Sequence, residues 1–138
     1  GAITRLLYRA VEPFLLASTL NAVVAQRLVR RLCPHCKVPH TPGPGQRAAL
    51  GCDEHATFWR GAGCDHCGHS GFKGRIALVE FLDIDEGIAQ LILERADARE
   101  IARRAGPGQL YTMVEDGLAK AAAGLTTIDE VLRVTQDG

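Results

Sequence analysis

The chain has 138 residues, 46% of them hydrophobic and 23% charged, a globular profile and not that of a disordered tail. Sixteen Lys and Arg balance sixteen Asp and Glu, so the strong overall field that draws in a polyanion is missing. No apolar run reaches the roughly 18–20 residues that cross a bilayer, which excludes a helical span.

Neutrality hides a gradient. Residues 1–51 carry seven Lys/Arg against one acid, and residues 80–138 carry six against twelve, so the two ends can attract each other or different partners. In chain order, Ile3, Leu6, Leu7 and Ala10 recur at helical spacing until Glu12-Pro13, and a second helix is expected from about Pro13 to Asn21. From Ala22 to Leu32 the period is ambiguous: Val24, Leu28 and Leu32 suit a helix, while Val23, Ala25, Arg27 and Val29 alternate. The β-branched valines tip the reading to a strand. Leu15, Leu16, Leu20, Val23, Val24 and Leu28 make more apolar surface than a small metal ribbon covers, so residues 1–32 look like the edge of a larger core.

Two Cys-x-x-Cys pairs follow, Cys33-Pro34-His35-Cys36 and Cys64-Asp65-His66-Cys67. Two residues between cysteines let a tight turn aim both sulfurs at one ion, and two such turns supply the four thiolates of a structural zinc site, with Zn–S about 2.3 Å. The 27 residues between the pairs do not forbid this, because closing a loop costs only about 0.6 kcal/mol more per doubling of its length. Disulfides and a redox dithiol are the competing readings. Residues 1–12 show no signal-peptide pattern, which points to a reducing compartment, and neither pair sits at a helix start after a strand, where a reactive thiolate is made. Cys52 reads as a bystander thiol. His35, His66 and His69 adjoin the cysteines and could replace one of them.

Between the pairs, Pro39, Pro42, Gly43, Pro44 and Gly45 predict an irregular loop, residues 46–50 a short helix ended by Gly51, and Phe58 and Trp59 a cover over the metal. Residues 75–82 read as a strand. Helices are expected over residues 85–95, over 98–105 with Asp97 and Glu100 as a capping-box-like start, and over 109–123 on the stripe Leu110, Met113, Val114, Leu118, Ala121. Thr127 and Glu130 open a last one, with Ile128, Val131 and Leu132 turned inward.

Three strings carry a resemblance: Val11-Glu12-Pro13-Phe14-Leu15-Leu16-Ala17-Ser18 with Ala25-Gln26-Arg27-Leu28-Val29-Arg30-Arg31-Leu32-Cys33-Pro34-x-Cys36; Gly63-Cys64-x-x-Cys67-Gly68-x-x-Gly71-Phe72-Lys73-Gly74-Arg75; and Glu115-Asp116-Gly117-Leu118 through Thr126-Thr127 to Glu130-Val131-Leu132-Arg133. In order and over nearly the whole chain, they resemble the C-terminal part of the type II secretion ATPase, the E protein, and its relatives, the type IV pilus assembly ATPases. The resemblance implies an α/β (α+β) fragment at the C-terminal edge of a RecA-like P-loop ATPase domain. Residues 1–32 would be the end of the ATPase core, 33–74 a tetracysteine zinc module with Cys33, Cys36, Cys64 and Cys67 as ligands, and 75–138 a mainly helical C-terminal region. It further implies a hexameric motor, cytoplasmic and peripheral to the inner membrane, that powers pseudopilus or pilus assembly. Its partners would be the upstream ATPase core, neighbouring subunits and inner-membrane platform proteins.

No Gly-x4-Gly-Lys-Ser/Thr occurs in the chain, so ATP and Mg²⁺ are expected only in the full-length parent and no residue here is named catalytic. Gly1 falls mid-domain in the family pattern, as in an excised fragment. Arg27 invites a role as a phosphate contact, but without a nucleotide site to aim at it reads as a charge on a core strand or subunit face. The alternative from another class is a nucleic-acid-binding zinc ribbon. Against it, the cysteine excursion carries only Lys37, Arg47, Arg60 and Lys73 opposed by Asp53, Glu54 and Asp65.

Overall fold

The computed structural model describes residues 22–52 and 56–136. The two helices expected within residues 1–21 lie outside them. The described elements are β1 (Ala22–Leu32), β2 (Lys37–His40), α1 (Pro44–Leu50), β3 (Phe58–Gly61), a 3-10 turn (Asp65–Cys67), β4 (Phe72–Asp83), α2 (Glu86–Leu93), α3 (Ala98–Arg104), β5 (Leu110–Tyr111), α4 (Met113–Ala122) and α5 (Ile128–Thr135). This mixture of helix and sheet fits the α/β class expected. One sheet has the strand order β1-β4-β5, and β2 pairs with β3 in a separate antiparallel ribbon.

The chain forms two compact units. Among described residues, one takes 22–26 and 79–112, and the other 27–78 and 113–136.

In the first unit, Val23, Leu82, Ile88, Leu91, Ile92 and Ile101 are buried together, with Ala25, Ile84, Ala96 and Leu110 packed against them. Burying each large aliphatic side chain is worth about 1.5–3 kcal/mol. Both helices start on aspartate caps, of which Asp97 is the one expected from the sequence: Asp85 Oδ1 accepts from the Ile88 amide and Asp97 Oδ1 from the Glu100 amide, each at 2.9 Å. Residues Leu110 and Tyr111 depart from the helix expected there. They extend as β5, with Tyr111 opposite Phe81 and Leu110 opposite Leu82, and helix begins only at Met113. A strand partner at Phe81 and Leu82, distant in sequence, overrides the local helical stripe.

In the second unit, α4 packs on α5 and against β3, while α1 packs on α5. Phe58, Leu32, Leu78, Ile128 and Val131 are among its fully buried side chains. Gly117 makes the α4–α5 contact possible: a Cβ there would stand 2.5 Å from Val131 Cγ1 and 3.3 Å from Leu78 Cδ1. Pro39, expected in a loop, lies within β2 opposite Trp59. A two-stranded ribbon leaves each strand one free edge, where a residue without an N–H breaks no ladder bond. Trp59 lies beside Gly124 and under the Lys37 ammonium, 5.3 Å from its ring centroid.

Candidate metal centre

Each cysteine pair sits on a tight turn. The first follows directly from the end of β1, and the Cys33 amide donates to the Gly71 carbonyl at 3.0 Å, which ties it to the chain leaving the second. The second turn is the 3-10 segment, closed by His69 N–H donating to the Cys64 carbonyl at 2.8 Å. The two turns meet because Gly61 and Gly71 have no side chains: a Cβ on Gly61 would fall 2.3 Å from the Gly71 carbonyl oxygen. Only glycine permits so close a backbone approach.

The Sγ atoms of Cys33, Cys36, Cys64 and Cys67 all lie within 4.8 Å of one another. Cys33–Cys64, Cys36–Cys67 and Cys64–Cys67 are each 3.8 Å apart. Four ligands about 2.3 Å from a tetrahedral ion stand about 3.8 Å from each other, so this geometry fits one zinc-sized ion. All four cysteines are free thiols and none is a disulfide.

Backbone amides point at the sulfurs. Gly63 N–H donates to Cys36 Sγ at 3.3 Å, Gly71 N–H to Cys67 Sγ at 3.2 Å and Cys64 N–H to Cys67 Sγ at 3.4 Å. Such donors stabilise thiolates and orient them. At Cys67 burial opposes ionisation, yet the Cys64 and Gly71 amides win and bring the thiol down to about 6. At Cys36 burial dominates over the Gly63 amide, and with the neighbouring sulfurs it pushes the thiol up to about 11. Sulfurs this close cannot all carry negative charge unless a cation sits among them.

The chemistry such a centre supports is structural. Four thiolates close the coordination sphere and leave no open position for a water or substrate. None of the three neighbouring histidines joins the cluster. His35 stacks on His66 with centroids 3.9 Å apart, and His69 Nε2 lies 3.2 Å from Asp65 Oδ1. Cys52 is also outside, its Sγ 3.9 Å from the Arg47 carbonyl. Arg27 is half-buried on β1.

The family model described as "Type II/IV secretion system protein" matches residues 1–133. The chain belongs to this family. Within the type II/IV secretion system family it is similar to the type IV pilus assembly ATPase PilB of Thermus thermophilus, 45% identical over 97% of this chain and 16% of that protein. It also resembles the type II secretion system protein E of Pseudomonas aeruginosa, 42% identical over 99% of this chain and 28% of that protein. The type II secretion system ATPase E of Vibrio cholerae is 37% identical over 99% of this chain and 27% of its own length. The chain therefore spans less than a third of these relatives. No helix among the described residues is long and apolar enough to cross a membrane.

A second arrangement beside the centre has no counterpart in the sequence pattern. Glu130, 1% exposed, accepts from the Arg30 amide at 2.8 Å, from Arg30 Nη2 at 2.9 Å, and from Arg133 Nε and Nη2 at 3.2 and 2.9 Å. Thr126 Oγ1 donates to the Arg30 carbonyl at 2.8 Å, and the Leu32 amide to the Leu125 carbonyl at 2.9 Å. These bonds fasten the segment that leads into Cys33 to the turn before α5.

Proposed function

We propose that this chain is the zinc-holding, non-catalytic part of a hexameric ATPase that drives type II protein secretion, with type IV pilus assembly as the other reading within the same family. The observation that carries the proposal is the four-sulfur cluster of Cys33, Cys36, Cys64 and Cys67 in a chain of this family. Zinc is the natural occupant, since four thiolates in tetrahedral array suit a soft, redox-inert ion. It fixes the two turns and so the strand ends and helices attached to them.

In this reading residues 1–32 end a RecA-like core, 33–74 form the zinc module and 75–138 the C-terminal region. ATP and Mg²⁺ bind upstream residues of the parent, because the sequence contains no phosphate loop. The parent works on the cytoplasmic side, peripheral to the inner membrane, and its partners are the upstream core, neighbouring subunits and platform proteins.

Native mass spectrometry of the chain, paired with an ATPase assay, tests this reading. One zinc per polypeptide and no turnover are expected. A stable, reduced and metal-free fold, or purification-resistant hydrolysis, would refute it.

A further inference from the structure

Among the described residues β1 is an edge strand, with β4 on one side only. On its other side, just before Cys33, the place of a neighbouring strand is taken by the turn that opens α5. The Arg30 amide donates to Glu130 Oε2 at 2.8 Å, the Arg30 carbonyl accepts from Thr126 Oγ1 at 2.8 Å, and the Leu32 amide donates to the Leu125 carbonyl at 2.9 Å. Arg30 and Leu32 are two residues apart, so all three bonds leave the same edge of the strand.

The Arg30 side chain adds a contact to the second cysteine turn. Its guanidinium lies 4.1 Å from the Phe72 ring centroid while Nη2 holds Glu130 Oε1 at 2.9 Å. Phe72 is tied to that turn through Ser70: the Phe72 amide donates to Ser70 Oγ at 3.1 Å, and Ser70 Oγ donates to the Cys67 carbonyl at 2.7 Å. The Cys33 amide, bonded to the Gly71 carbonyl at 3.0 Å, joins this chain of contacts to the first turn. One residue therefore touches the exit of the second cysteine turn, lies on the approach to the first, and grips the buried carboxylate of α5.

We propose that Arg30 is a positioning residue that couples the metal centre to α5, so that metal occupancy and the packing of the C-terminal helix stabilise each other. The inference rests on the metal-holding role proposed above. Four thiolates drawn onto one ion fix both cysteine turns, and with them Phe72 and the end of β1. Arg30 is then held by the ring under its guanidinium and by its backbone, and it presents a preset partner to Glu130. Without the ion the two turns part, the stack on Phe72 loosens and Glu130 loses a fixed partner. Coupling of this kind is reciprocal: metal loss favours opening of α5 by the factor by which opening of α5 weakens metal binding. Ile128, Val131 and Val134 bury the apolar face of α5 on their own account, so the helix does not leave with the ion. The device sets how often it opens.

The test is hydrogen exchange of residues 128–135 in the whole chain, zinc-loaded and after chelation, together with zinc affinity from competition with a chromophoric chelator. In the wild type, chelation should speed exchange of α5 about tenfold. Glu130→Gln keeps the shape of the side chain and removes the charge that Arg30 holds. It should weaken zinc binding by up to about tenfold and leave α5 exchange nearly indifferent to chelation, because the link is cut. Arg30→Lys keeps a cation for Glu130 without the flat guanidinium over Phe72, and should fall between the two. Ile92→Val, a buried substitution in the other unit, should lower stability in urea with zinc affinity unchanged. Circular dichroism checks that each variant is folded.

Equal exchange of residues 128–135 with and without zinc in the wild type overturns the inference. So does wild-type zinc affinity in both Glu130→Gln and Arg30→Lys, or an equal loss of affinity in Ile92→Val, which would make the effect one of overall stability. Metal analysis keeps the two levels apart: a chain that takes up no metal fails the zinc reading and this inference together, whereas one zinc per polypeptide with an indifferent α5 fails this inference alone.

Discussion

Arg30 and Glu130, one hundred residues apart in the chain, are joined twice: the Arg30 amide donates to Glu130 Oε2 at 2.8 Å and Arg30 Nη2 to Oε1 at 2.9 Å. With Arg133 on its other side, Glu130 is a buried charge held by two guanidiniums and one backbone amide. It is therefore the side chain through which acid should act on this fold.

Burial works against the Glu130 carboxylate, but the bonds from Arg133 and Arg30 outweigh it and bring the group from its ordinary 4.5 down to about 2. The folded pKa is lower than the unfolded one, so the stabilisation is complete above about 4.5 and disappears as pH falls through about 2. Glu130→Gln should cost about 2 kcal/mol at neutral pH, a moderate figure because both arginines are half exposed and screened. Urea melts between neutral pH and 2 should show the wild type converging on the variant as the carboxylate protonates. A pH-independent gap would remove this account.

Zinc retention should be lost in Cys64→Ser and unchanged in Cys52→Ser, because the Cys52 sulfur lies outside the cluster. Metal analysis of the purified variants decides this. Protons compete for thiolates, so the bound metal should also leave as pH is lowered. Chelation should raise amide exchange within residues 33–74 before it does so in α2 and α3, and uniform loss of protection would contradict the division into two units.

Gly117→Ala would ordinarily stabilise a helix by up to about 1 kcal/mol. Here the added methyl would stand 2.5 Å from Val131 Cγ1 and 3.0 Å from Cγ2, and a β-branched side chain on a helix has little freedom to turn away. A net loss of about 1–3 kcal/mol is expected. Combining it with Val131→Ala should recover part of that loss, and a thermal melt of the double variant is the check.

Thr127→Ala should cost about 1 kcal/mol, since Thr127 Oγ1 accepts from the Glu130 amide at 3.1 Å and opens α5. The loss should reach the metal site as faster zinc exchange, because α5 carries Glu130. Unchanged exchange in a destabilised variant would show that cap and metal are not coupled.

What the sequence disclosed was local. Asp97 and Thr127 were legible as caps because an N-cap bond spans three residues, and the paired cysteines were legible because their spacing is itself the geometry. β5 and the place of Pro39 in β2 were not, since each depends on a partner strand supplied by a distant stretch. Glu130 shows the limit most clearly. Three residues after Thr127 it reads as half of a capping box, but its carboxylate turns to Arg30 and Arg133, and an ion pair across a hundred residues leaves no periodic trace.

The order of the two units along the chain has a consequence for synthesis. Residues 79–112 interrupt the unit that contains the cysteines, so both knuckles have left the ribosome well before Leu125, Thr126 and Glu130 exist. The thiols must wait, unbraced, while residues 79–112 of the other unit are made, and metal capture by the nascent chain would then guard them against oxidation until the last helix arrives.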